Sequence, residues 1–157
     1  MNTFKADLER GKIGEFLVMK TFKSLGFEVK DTSKDELFFK DDVDFITADG
    51  IKYEIKTDFR VQETGNLALE SYVDYGFGRE KSWLWKSDTD FFIFVNPYDT
   101  SHFYYIAAND LRHLVRTETF RTVVKSDGYK DIHLVLFPLG DYESCFDVID
   151  TEVEIEL

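Results

Sequence analysis

The stretch 41-DDVDFITADGIKYEIKTD-58 decides how this chain folds. Two runs of strand-forming residues, 43–47 and 51–57, flank the turn signal Ala48-Asp49-Gly50. A two-residue Asp49-Gly50 loop would set Ala48 against Ile51, with Asp44 opposite Ile55 and turned away from Glu54. A three-residue loop, with Gly50 left-handed as a bulge, sets Thr47 against Ile51 and Asp44 against Glu54. In this second register Asp44, Ile46, Lys52, Glu54 and Lys56 share one face. Val43, Phe45, Thr47, Ile51, Tyr53 and Ile55 take the other. One face is then apolar and the other mostly charged, and a slip by one residue would mix them. The pattern therefore selects the register that brings two carboxylates together.

Two facing carboxylates repel unless something positive lies between them. Lys56 alone would give a salt-bridged surface hairpin. The alternative is a hard divalent cation. Mg²⁺ favours oxygen ligands, keeps several waters and takes only one or two protein carboxylates. A cation at Asp44 and Glu54, with the Lys56 ammonium two residues on, suits phosphodiester hydrolysis. The cation lowers the pKa of a water and neutralises charge developing on phosphate oxygens. The lysine positions that water and stabilises the transition state.

Outward from the hairpin, residues 3–25 read as a helix stopped by Gly26. Leu8, Glu15, Val18, Met19 and Phe22 fall on one face of it. A carboxylate on a buried face is costly unless a cation or hydrogen bonds hold it, so Glu15 is either held in this way or lies at the edge of the stripe. Strands are expected at 27–30, 66–73, 91–95 and 102–107, with the continuous apolar run Phe91–Val95 central. Residues 79–88 read as a short helix, and 109–118 as another with Asn109 as N-cap. A last hairpin is expected from 120–125 and 131–137. This order predicts one α/β domain over 1–157, a central mixed sheet flanked by helices.

The residues around Asp44 and Glu54 resemble those of the PD-(D/E)XK nuclease superfamily, which includes restriction enzymes, archaeal Holliday junction resolvases and phage exonucleases. Val43-Asp44 would be its second motif and Glu54-Ile55-Lys56 its third; the helix Gly14–Phe22 with Glu15 looks like its first. The resemblance implies a restriction-endonuclease-like core of order α-β-β-β-α-β over about residues 3–107; residues 108–157 lie outside it and read as a C-terminal β extension. It implies Mg²⁺, replaceable by Mn²⁺, on Asp44, Glu54 and the Ile55 carbonyl, with Lys56 catalytic and Glu15 orienting water, metal or lysine. It further implies a nucleic-acid substrate, DNA first, and allows a homodimer. Val43 stands where the family has its eponymous proline, which removes no ligand.

Further contacts are read from neighbouring sequence. In Tyr75–Lys86, Arg79, Lys81 and Lys86 alternate with Tyr75, Phe77, Trp83 and Trp85. Basic and aromatic residues together grip a backbone while stacking bases, although a helix that buries its tryptophans reads equally well. Arg60 and Gln62 lie just beyond the catalytic strand, and Glu70 is a possible additional acid at the metal. His102, His113 and His133 are too widely spaced for a metal pair.

Bulk properties set the limits. The chain has 157 residues, 43% hydrophobic and 17% aromatic, enough for a packed core. No apolar run approaches the ~20 residues of a membrane span, and residues 1–12 lack the apolar core of a signal peptide. The lone Cys145 forms no intrachain disulfide, suits a reducing cytoplasm and reads as a buried filler. The net charge of −12 is the wrong sign for gripping phosphates by bulk attraction. Of the 31 acids, seven fall in residues 141–157, which carry no Lys or Arg; the other 24 face 19 bases. That tail reads as a solvated or frayed end, or as a surface that competes with nucleic acid or docks a basic partner. The alternative function for the chain is a catalytically inactive nuclease fold acting as a protein-interaction module.

Overall fold

A computed structural model describes residues 3–32 and 42–151, the side chains of 3–10 excepted. Helix α1 (Thr3–Ser24) is followed by β1 (Val29–Asp31), β2 (Phe45–Thr47) and β3 (Lys52–Thr57). The crossover to β6 (Phe91–Val95) holds α2 (Val61–Thr64), β4 (Asn66–Asp74), β5 (Arg79–Lys81) and α3 (Trp83–Lys86). Then come β7 (His102–Ala107), α4 (Ala108–Thr117), β8 (Arg121–Ser126), β9 (Asp131–Pro138), α5 (Leu139–Tyr142) and β10 (Asp147–Asp150). Six strands form a mixed sheet in the order β1-β2-β3-β6-β7-β10, in which β3 and β6 run parallel. Four form an antiparallel sheet in the order β5-β4-β9-β8. The fold is α/β, as the order of elements predicts. Among the described residues no helix is long and apolar enough to cross a membrane.

The layers follow from side-chain alternation. Ile93 and Val95 of β6 pack with Tyr53 and Ile55 against Leu17, Val18 and Phe22 of α1. Phe92 and Phe94, on the opposite face, pack against Leu67, Leu69, Val135 and Phe137 of the second sheet. A strand covered on both faces needs no polar side, which is why Phe91–Val95 reads as one apolar run. The helix stripe is turned about one residue from the expected one. Gly14, Leu17, Val18, Thr21 and Phe22 are buried, whereas Glu15 and Met19 are only half-buried at its margin. Gly14 makes the close approach to β3 possible. A Cβ built there would stand 2.2 Å from Thr57 Oγ1.

Three local expectations are corrected. Residues 79–88 are not one helix: Arg79–Lys81 pair with Tyr72–Asp74, and only Trp83–Lys86 coil. The hairpin partner supplies backbone hydrogen bonds that a helix with weak periodicity could not outcompete. The crossover after β3 therefore contains two single-turn helices and the β4–β5 hairpin, where the sequence predicts one strand and one short helix. Helix α4 starts at Ala108 with Ala107, not Asn109, as its cap, because the Asp90 carbonyl accepts the Ala108 N–H at 2.9 Å. Cys145 is exposed in a single 3-10 turn. Beyond residue 107 the chain is built into both sheets. Strand β9 pairs with β4 and β8 with β9, and β10 closes the main sheet against β7. Strand β10 thus accounts for part of the acidic tail; Glu152, Glu154 and Glu156 lie outside the described residues.

Candidate functional site

The hairpin adopts the three-residue loop. Phe45 pairs with Tyr53 and Ile46 with Lys52, and the Asp44 N–H donates to the Tyr53 carbonyl at 2.9 Å. Gly50 sits at φ +84, where a side chain would be strained, and its N–H donates to the Thr47 carbonyl. Just before the paired residues, the Asp44 carboxyl comes within hydrogen-bond reach of Glu54. β2 begins only at Phe45, so the Ile55 N–H is free to be taken by the Asp44 carboxylate, at 2.7 Å from Oδ2. That bond fixes the orientation of Asp44 beside Glu54.

Glu54 lies on the face of β3 that looks toward the second sheet, away from α1. Its side chain is 7% exposed, and its Oε1 meets Lys56 Nζ at 3.1 Å. Its Oε2 is buried with no hydrogen-bond partner. Burial first, and then the charge of Asp44, raise the Glu54 carboxyl to about 9, against the pull of Lys56. Asp44 is also raised, chiefly by burial; its bond from Ile55, Lys56 and a hydrogen bond with Glu54 act against this. Glu15 approaches from α1, on the other side of the sheet. Burial, then Asp44 and Asp31, raise it to about 7, while Lys12 and Lys56 oppose. The four sequence-predicted catalytic residues thus share one electrostatic neighbourhood. Glu15 does not complete a coordination shell: among the described residues no three carboxylates, histidines or cysteines come together as a metal-binding group.

The remaining sequence candidates are dispersed. Glu70 pairs with Leu134 and alternates with Leu67 and Leu69, which point toward the main sheet, so it lies on the outer face of β4, away from Glu54. Arg60 is exposed and pairs with Glu63 at 3.6 Å, and Gln62 accepts a hydrogen bond from Asn96 at 2.7 Å. Arg79 covers the Tyr72 ring at 3.9 Å, and Lys81 is exposed beside it on β5. Only Lys86 comes near the site, through Asp42 Oδ2 at 3.9 Å. Trp83 and Trp85 pack against the core, as the second reading of that segment has it, whereas Phe77 is 91% exposed.

Two contributors escaped the sequence reading. Asp42 adopts φ 53, uncommon for a residue with a side chain, and its charge acts on Glu54. The doubled acid in Asp41-Asp42-Val43-Asp44 is the signal that could have marked it. Trp83 stands over Lys56, with the ammonium 4.7 Å from the ring centroid. No spacing rule links residue 83 to residue 56.

The raised carboxyls make stability depend on pH. Glu15 and Glu54 hold protons in the folded state that the unfolded chain releases. Their contribution is full below the ordinary carboxylate range, and it is lost as pH rises through about 7 for Glu15 and about 9 for Glu54. The melting temperature of metal-free protein should therefore fall between about pH 5 and about pH 8, and Glu54→Gln should flatten the fall. Parallel curves for parent and variant would contradict the proton assigned to Glu54.

Comparison with protein-family models, with curated proteins and with solved structures gave no match.

Proposed function

We propose that this protein is a metal-dependent nuclease that hydrolyses phosphodiester bonds, with DNA as the first substrate class. One observation carries the reading: Glu54 is buried against Asp44, two carboxyls within hydrogen-bond reach of each other with a single lysine beside them. A buried carboxylate pair with a single lysine is costly, and it is the arrangement a bound cation would relieve. The residues fit a hard cation in kind, being oxygen donors. Asp44 and Glu54 would hold it, with the carbonyl of Ile55, the residue after Glu54. When bound, Mg²⁺ or Mn²⁺ supplies an acidified water and a counter-charge for phosphate oxygens.

The chain's own residues do the rest. The Ile55 N–H keeps Asp44 aimed beside Glu54. Lys56, two residues along the same face, presents an ammonium to charge developing on the scissile phosphate. Glu15, on α1, bears on the site through its charge interactions with Asp44 and Lys56. Cation binding must displace the Glu54 proton, so affinity should rise with pH.

The test is cutting, with and without Mg²⁺ or Mn²⁺, of a panel of duplex, single-stranded and branched DNA and of RNA. Metal-dependent cutting of at least one substrate is expected. Failure on every substrate would overturn the reading in favour of a non-catalytic interaction module.

A further inference from the structure

Trp83 opens α3, in the crossover between the two parallel strands. Its ring packs edge-on against Phe92 with centroids 5.2 Å apart, and tilted against Phe94 at 6.3 Å. Phe92 and Phe94 are the β6 partners of Glu54 and Lys56. The indole is therefore seated on the strand positions that flank the site, and Lys56 Nζ lies 4.7 Å from its centroid. The same ammonium is 3.1 Å from Glu54 Oε1. It is held from two sides, by a carboxylate and by a π face.

The two holds differ once Glu54 engages a divalent cation. Glu54 then shares its charge, and the ammonium is repelled from the pair. The neutral ring is not competed for, and tryptophan is the strongest aromatic partner for an ammonium. We propose that Trp83 is a positioning residue that keeps Lys56 at the site while Glu54 serves as a ligand. Its catalytic consequence rests on the nuclease reading; the contact itself does not. Loss of the ring should free the long lysine side chain to swing toward solvent, where it no longer faces the phosphate. Phenylalanine keeps a π face and should keep much of the effect.

The test reads the contact and the catalysis separately. Lysines are reductively methylated with ¹³C, and the Lys56 resonance is assigned by its absence in Lys56→Arg. In metal-free parent protein the Lys56 methyls should be shifted upfield by the ring current, and should stay so on adding Mg²⁺. Trp83→Leu should abolish the shift, and Trp83→Phe should retain part of it. In cutting assays Trp83→Leu should lower kcat about tenfold with KM unchanged, and Trp83→Phe should stay within about threefold of the parent. An unshifted Lys56 resonance in the parent overturns the proposal, as does Trp83→Leu cutting at the parent rate or Trp83→Phe failing as badly as Trp83→Leu. If Trp83→Leu does not fold, the parent spectrum and Trp83→Phe decide. A shifted resonance in a parent that cuts nothing sinks the nuclease reading and the catalytic role together, and leaves the Lys56–Trp83 contact standing.

Discussion

Lys56→Ala is expected to lose cutting by about 10²–10³-fold while keeping its response to Mg²⁺. The side chain is placed to stabilise charge that develops on the phosphate, and its ammonium is not a cation ligand. Removing it also takes away the positive charge that now lies 3.1 Å from Glu54 Oε1. The Glu54 proton should therefore be held more tightly, and cation binding should need a higher pH than in the parent. Asp44→Ala and Glu54→Ala should lose both cutting and cation response, because each removes a ligand. Single-turnover cutting and calorimetric titration with Mg²⁺ separate these outcomes. Three single variants that all cut like the parent would show that the chemistry is elsewhere.

Ending the chain at residue 140 is expected to cost about 3–5 kcal/mol, a large share of the roughly 5–15 kcal/mol by which a domain is stable. The reason is Phe146, buried among Phe94, Tyr104 and Phe137 with ring centroids 6.2, 6.1 and 5.8 Å away. The same cut removes β10 and uncovers the backbone edge of β7. Removing only residues 152–157 leaves Phe146 and the β7–β10 pairing in place, and should change stability far less. Urea unfolding of the two truncated chains measures the difference. Equal stability of parent and the chain ending at 140 would contradict the packing role of Phe146.

Much of the hairpin was legible because alternation and turn chemistry agreed. The clean separation of Phe45, Tyr53 and Ile55 from Asp44, Glu54 and Lys56 selected one register, and Gly50 supplied the loop it required. The central strand was equally plain, since Phe91–Val95 can be apolar throughout only if both faces are covered. What failed was local sequence whose partner is distant. Arg79–Lys81 have little strand signal of their own and become β5 because Tyr72–Asp74 accept them. Glu70 lies in a strand whose facing could not be known until Leu67 and Leu69 were seen to point toward β6. Phe146 lies in the acidic tail, and its burial depends on Phe94 and Phe137 rather than on its neighbours.

At the site, the same division holds. Asp44, Glu54 and Lys56 lie within one hairpin, so strand periodicity alone puts them on one face. Glu15 reaches the neighbourhood because Gly14 lets α1 lie close to Thr57, a contact that only the folded chain reveals. Trp83 and Asp42 depend on the crossover and on the turn before β2, and strand spacing predicts neither.

Anomalous diffraction from crystals soaked in Mn²⁺ tests the central claim most directly. In the parent protein a peak is expected between the Asp44 and Glu54 carboxylates, with Lys56 Nζ displaced from Glu54 Oε1 and still over the Trp83 ring; in Asp44→Asn the peak should be absent. Crystals of the parent that show no peak there, with Lys56 still paired to Glu54 as in the metal-free protein, would contradict the account.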